Sequence, residues 1–382
     1  MSQTDKRAKK RLLSIELLRV ISMLGIALFH TFQPWFEALV TGSAGNLSPH
    51  YGSLMHPGVL TAMGCIDQLG AWGNHVFIMI SGYFLLPRII GADTQTAQDH
   101  GQTIRRVTPI LITLALYITL ALLLAIPFEH LTSVSLQNLS WLAQGLQFVW
   151  VYLLLVLLCP LIGRVWRQTT HFESLLILAT LAVYGINIYI AFVSPGSTQR
   201  SLFEWRKLMS GVTYALSFVI GGWVAQRKSA RHGAWWEALV FSPLGMVLSI
   251  GCTVLVEFYV AHTGNLNLLD ALSYKSTSLF SFVMAVSALG FAVTRPQRHD
   301  QKLVRLAEVV AFFTSGMLGF YVLQALFSHG WHQLSNALLA WALALGVPAF
   351  LIAGMLFSAA LFVVLSVVDA LVRQPLLERL GF

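Results

Sequence analysis

Residues 309–368 read VVAFFTSGMLGFYVLQALFSHGWHQLSNALLAWALALGVPAFLIAGMLFSAALFVVLSVV, a run without a single Asp, Glu, Lys or Arg. A helix needs about 20 mostly apolar residues to cross a bilayer, because hydrocarbon offers no partner to an exposed peptide group. The run is too long for one crossing, and the polar patch Ser328–Ser335 is the natural place to divide it. Worked outward in the same way, cuts at clusters of charge, Gly and Pro give ten apolar segments. They lie near 13–35, 69–87, 107–127, 143–163, 174–194, 208–226, 237–259, 277–294, 308–328 and 337–370. Composition agrees: of 382 residues 56% are hydrophobic and 10% charged, against roughly a quarter charged in a soluble domain. That balance excludes a soluble globular protein, a disordered chain and a nucleic-acid binder. The expected fold is all-α, a polytopic bundle of about ten transmembrane helices in the plasma membrane. One membrane domain spans 13–372, between a basic tail (1–12) and a short C-terminal tail (373–382).

Ten crossings put both termini on one side, and Lys and Arg indicate which. Lys6, Arg7, Lys9, Lys10 and Arg11 precede the first segment. Segment ends of the same parity carry Arg88, Arg105, Arg106, Arg164, Arg167, Arg227, Lys228, Arg231, Arg295, Arg298, Lys302, Arg305, Arg373 and Arg379. These make nineteen of the 24 cations; the opposite parity holds only Arg200, Arg206, Lys207 and Lys275, with Arg19 inside the first segment. Both termini are therefore expected in the cytoplasm, and the Gly- and Ser-rich loop near 37–67 outside. The first apolar run is a full span without a small-residue cleavage site, so no cleavable signal peptide is expected. Cys65, Cys159 and Cys252 give neither a disulfide framework nor a metal-ligand spacing, and no metal is implied.

Ionisable residues inside a membrane are costly and mark function by default. Arg19 lies two turns inside the boundary set by Arg11. The bland alternative is a pair with Glu16 one turn back, with the side chain snorkelling to the surface. His30 follows eleven residues later, a near-whole number of turns, so both fall on one helix face about 16 Å apart. A lone His near a helix end is also often just an interfacial residue. Further on, Trp72–Tyr83 (WGNHVFIMISGY) leads to Pro87-Arg88, with Ser81 and Arg88 on one stripe. Close helix packing explains Ser81-Gly82 but not an arginine on the same stripe.

These residues resemble the signature of the membrane acyltransferase type 3 family. The R-x10-H spacing of Arg19 and His30 is similar to that family's first-helix motif, and Phe77–Tyr83 (FIMISGY) to its apolar run ending in Ser-Gly-Phe/Tyr. Arg105-Arg106 with Pro109 resembles the basic turn opening the third helix. Trp150-Val151-Tyr152 through Cys159-Pro160-Leu161 resembles the Trp-Tyr…Pro-Leu helix. Thr314–Gln324 resembles the late Ser/Gly…Tyr-Leu-x-His helix, with Gln324 where a His is common, a departure that weakens any role for that position.

The resemblance implies transfer of an acyl group, usually acetyl, from cytoplasmic acyl-CoA to a hydroxyl of a carbohydrate at or beyond the outer face. On that reading acetyl-CoA or another acyl-CoA is the donor. Arg19, Arg88, Arg105 and Arg106 form a funnel for its phosphates, with Ser81 and Tyr83 beside it. His30 is the general base, since imidazole is neutral near pH 7. Direct transfer is favoured over a covalent acyl-enzyme, with Ser81 the residue that would argue otherwise. Asn74 and His75 are candidates to hold the thioester oxygen or the acceptor, or else a polar cap on the second helix. Glu257 and the Arg200–Lys207 segment are candidates for touching acceptor sugar, or else solvated interface residues. A transporter of an anionic or sugar substrate is the alternative from another class, although no convincing inverted repeat is visible. A purely structural membrane protein is the third reading, and the charge stripe on the first helix argues against it.

Overall fold

The computed structural model describes residues 13–91, 96–135, 137–193, 200–229, 235–273, 277–295 and 301–382. The basic tail, Arg231, Lys275 and Arg298 lie outside the described residues, as do the side chains of Arg200, Arg206, Lys207, Lys228 and Lys302.

Among the described residues, fifteen α-helices follow one another: α1 (Leu13–Val40), α2 (Pro57–Ile90), α3 (Thr96–Ala125), α4 (Ser140–Gln144), α5 (Gln147–Gln168), α6 (Phe172–Val193), α7 (Arg200–Ser229), α8 (Trp235–Val240), α9 (Pro243–Thr263), α10 (Leu266–Ser273), α11 (Leu279–Thr294), α12 (Gln301–Ser315), α13 (Met317–Leu326), α14 (Ser328–Ala344) and α15 (Val347–Arg379). Among the described residues, α1, α2, α3, α5, α6, α7, α9 and α15 contain stretches long and apolar enough to cross a membrane. Residues Arg305–Leu326 form a ninth such element, bent by 44° between α12 and α13. The shorter apolar helix α11 is the tenth element. Every apolar segment of the sequence therefore has its helix.

Four boundaries differ from the expected ones, three of them for a visible local reason. The helix α1 runs on to Val40, and α2 starts at Pro57, twelve residues before the apolar run at 69. Pro57 is suited to a first helical turn, and the His56 imidazole caps it by accepting from the Gly58 N–H at 3.2 Å. The segment expected at 237–259 breaks at Ser242, whose hydroxyl accepts from the Gly245 N–H at 3.1 Å and starts α9. The long final segment splits into α14 and α15 at Gly346, whose φ of 118° is open to glycine and strained for other residues.

Contacts fix how the helices run. Along α1 and α2, Arg19 meets Phe84 while Gly25 meets Leu69 and Trp72, so the two are antiparallel. Along α2 and α7, His75 meets Ser217 and a β-carbon on Gly82 would overlap the Phe218 carbonyl, so those two are parallel. A β-carbon on Gly221 would likewise overlap the Met79 carbonyl. Glycines let these two backbones touch, the device by which helices associate where lipid gives no hydrophobic drive. Along α1 and α15, Thr31 meets Ser358 and Phe32 meets Phe350. The helix α14 packs Leu339 and Leu343 with Trp35, Phe36, Leu39 and Phe350 at the His30 end of the bundle. Large apolar side chains such as Leu123, Leu178, Leu248, Leu255 and Leu356 cover the outside, as a lipid-facing surface requires.

At the opposite end, a buried network pins the bend between α12 and α13. Asp369 is fully buried and accepts from Arg373 Nε at 2.6 Å and Nη2 at 2.7 Å, and from the Tyr117 hydroxyl at 2.7 Å. Arg373 Nη2 also donates to the Ser315 carbonyl at 2.8 Å, a group the break takes out of regular helix pairing. Gly316 and Gly319 make room for the carboxylate.

Candidate active site

Arg19 is one quarter exposed and pairs with Glu16 at 3.1 Å, as the bland reading of its position requires. It does more than that. Its guanidinium lies 5.6 Å from the centre of the Phe84 ring, and it acts electrostatically on the Tyr152 hydroxyl, as does Arg106. Tyr152 hydrogen-bonds Ser81, whose own hydroxyl donates to the Phe77 carbonyl at 3.1 Å. Helices α1, α2, α3 and α5 thus bring Arg19, Ser81, Arg106 and Tyr152 to one place. Tyr152 was visible in the sequence only as part of a motif; nothing in the sequence places it beside Ser81, 71 residues earlier.

Arg88 and Arg105 are exposed, at the same end and on either side of the connection between α2 and α3. Tyr83 is half-buried, edge-on to Phe84 at 5.1 Å. Two other arginines at this end are taken up by carboxylates. Arg227 pairs with Glu173 and, at 3.3 Å, with Glu237, and Arg373 pairs with Asp369. The cations open to an anion from outside include Arg88 and Arg105, with Arg19 and Arg106 behind them.

From Tyr152 a column of aromatic rings runs into the bundle. Phe77 lies 5.0 Å from Tyr152 and 5.5 Å from Phe148, and Phe148 lies 5.4 Å from Tyr214 and 4.6 Å from Tyr321. Asn74 and His75 meet this column. Asn74 Nδ2 donates to the Tyr214 hydroxyl at 3.1 Å, and its buried Oδ1 has no partner. His75 is fully buried, with Nδ1 2.7 Å from the Ser217 hydroxyl and its ring edge-on to Tyr214 and Phe282. Neither forms a solvated cap; both are inside the bundle.

Glu257 is buried away from this column. Its Oε1 accepts from Gln68 Nε2 at 2.8 Å, Ser281 donates to the Gln68 carbonyl at 3.0 Å, and Oε2 lies against Gly64 without a hydrogen-bond partner. This carboxyl group ties α9 to α2 in the interior; it is not a solvated interface residue.

His30 lies one helix face and about 16 Å beyond Arg19. Because α1 continues to Val40, it sits well inside the helix and not at its end. Its ring is 4.8 Å from Phe29 and 6.5 Å from Trp331 of α14, edge to face. Next to Trp331, the His332 imidazole hydrogen-bonds the main chain of His30. This partner has a cause in the sequence. The His30 carbonyl would ordinarily accept from the N–H of residue 34, but residue 34 is Pro, which has none. His332, on a helix outside the spanning segments, supplies the missing donor. Burial holds its imidazole down at about 4, with His329 adding to the effect and the His30 carbonyl opposing it, so it is neutral at physiological pH. Sequence reading missed His332, and Pro34 was the available signal.

Among the described residues, no three His, Cys, Asp or Glu side chains gather as a metal site. The arrangement is an arginine-rich end, a packed column of aromatic rings and, about three turns along α1 from Arg19, His30. No curated protein and no solved structure matches this chain. A family model described as an acyltransferase domain matches residues 12–367, a range that includes Arg19, Ser81, Arg106, Tyr152 and His30, and so the chain belongs to the acyltransferase 3 family.

Proposed function

We propose that this membrane acyltransferase moves an acetyl group from acetyl-CoA, bound at the arginine end, to a hydroxyl of a carbohydrate bound at the His30 end. The observation that supports this reading is the eleven-residue spacing that puts Arg19 and His30 on one face of α1. The 16 Å between them is comparable with an extended pantetheine arm. Arg88 and Arg105 meet the phosphates first, and Arg19 and Arg106 hold them through charge-assisted hydrogen bonds. The thioester then lies along the aromatic rings, with its carbonyl towards His30. His30 accepts the proton of the acceptor hydroxyl as that oxygen attacks the carbonyl carbon. The carbon–sulfur bond then breaks, and the imidazolium returns the proton to the departing thiolate. Ester and free CoA are the products, and no acyl-enzyme is required.

Arg19→Ala is expected to weaken acetyl-CoA binding about ten- to a hundredfold, as loss of a hydrogen bond to a charged group costs ~1.5–3 kcal/mol. Calorimetry on the purified protein reads this directly. Unchanged affinity would reduce Arg19 to a partner for Glu16.

The positive-inside rule puts the arginine end in the cytoplasm, where acyl-CoA is made, and the His30 end outside. The protein would then carry an acyl group across the bilayer by catalysis. With Cys65, Cys159 and Cys252 replaced, a cysteine at exposed Ser53 should react with an impermeant maleimide in intact cells. One at exposed Thr170 should react only after permeabilisation. The reverse pattern would put the acceptor in the cytoplasm.

A further inference from the structure

The corner where α13 turns into α14 holds several buried polar groups without a partner among the described residues. Gln324 is 2% exposed, and neither its Oε1 nor its Nε2 has a partner. Its main-chain carbonyl accepts from the Trp331 indole at 2.9 Å, which folds α14 back towards His30. His332 Nε2 is buried without a partner, as is Asn336 Oδ1 one turn further along the same face of α14. The Thr132 hydroxyl, in the connection packed on this corner through Ser133 and Ala325, is a fourth.

The His30 carbonyl can only accept, so the His332 nitrogen that meets it carries the ring proton. Nε2 is buried without a partner, and with the ring proton on Nδ1, towards the His30 carbonyl, it would keep the lone pair. Pro34 leaves that carbonyl without its helical donor, beside a second histidine. All four unsatisfied groups are uncharged, and together they offer donors and acceptors. Native proteins pair nearly all such buried groups, and the ligand that pairs these is neutral and carries several hydroxyls.

We propose that His332, Asn336 and Gln324 form the acceptor-binding site, with His332 Nε2 accepting a hydrogen bond from one hydroxyl of a neutral polyhydroxylated acceptor beside His30. This rests on the reading of His30 as the centre of transfer. A site built to bond a hydroxyl discriminates strongly when that bond is lost, so α14 selects the acceptor while the arginine end selects the donor.

The full chain in lipid nanodiscs is tested in two ways. In the first, nitrogen-15 spectra of histidine-labelled protein identify the His332 signal by its loss in His332→Phe. The expected form is neutral and protonated at Nδ1. Pro34→Ala restores a helical donor to the His30 carbonyl and should shift His332 towards the Nε2–H form. A His332 already protonated at Nε2 in the wild type overturns the proposal. In the second, labelled acetyl is transferred from acetyl-CoA to surface glycans isolated from the producing strain. His332→Phe should raise the KM for glycan ten- to a hundredfold with acetyl-CoA affinity unchanged. His332→Gln, which keeps a donor and an acceptor, should recover most of the loss. An unchanged glycan KM, or an equal loss of acetyl-CoA affinity, overturns the proposal. If His332→Phe does not fold, Asn336→Leu and Gln324→Leu carry the same KM expectation. If the wild type labels no glycan, the carbohydrate reading fails, and the tautomer result still decides the role of His332.

Discussion

His30→Ala is expected to lower acyl transfer by roughly 10²–10⁴-fold, the usual contribution of a positioned general base, while acetyl-CoA still binds at the arginine end. The separation follows from distance. Arg19 is about three helical turns from His30. The His332 contact is to the His30 main chain, so it does not depend on the imidazole that the substitution removes. The measurement is single-turnover transfer by purified protein alongside calorimetric titration with acetyl-CoA. Near-normal turnover would remove His30 from the chemistry.

The second large effect is on stability. Asp369→Ala leaves the Arg373 guanidinium, 6% exposed, without its carboxylate, and takes the acceptor from Tyr117. Breaking a buried ion pair from one side costs ~3–5 kcal/mol, because the remaining charge stays desolvated. The loss falls where α12 and α13 break, since Arg373 also holds the Ser315 carbonyl. Thermal unfolding in detergent, followed by size-exclusion chromatography, should show Asp369→Ala aggregating well below wild type. Replacing both partners, as Asp369→Ala with Arg373→Leu, should recover much of the difference. A single variant as stable as wild type would show that Arg373 reaches water in the folded protein.

The all-helical membrane bundle and its apolar segments were legible in the sequence because the bilayer imposes one length and one polarity on every crossing. The pairing of Arg19 with His30 was legible too, because both lie on one helix and 100° per residue settles their faces. What escaped the sequence depends on pairs of helices. Ser81 and Tyr152 belong to α2 and α5, and Glu257 finds Gln68 189 residues away. Arg373 reads as a flanking charge that sets topology, yet in the structure Asp369, one turn before it, holds it inside the bundle. The helix α14 was hidden for a different reason. Its start is polar enough to pass for a connecting loop, and its apolar end merges with the run of α15. Only Gly346, at a φ of 118°, separates the two.

The contact between α2 and α7 bears on how such a chain tolerates change. Gly82 and Gly221 each face a carbonyl of the other helix, Phe218 and Met79, with no volume for a methyl group. A carbonyl cannot rotate away as a side chain can, so replacement by even alanine must push the two backbones apart along their whole seam. That seam carries His75 and Ser81 on one helix and Tyr214 and Ser217 on the other. Genetic drift is therefore barred at two small residues that touch no substrate, while outward-facing positions such as Leu178 and Leu255 are open to any apolar replacement. A deep mutational scan of this gene would show intolerance along the glycine seam as severe as at a catalytic residue, caused by lost volume and not by lost chemistry.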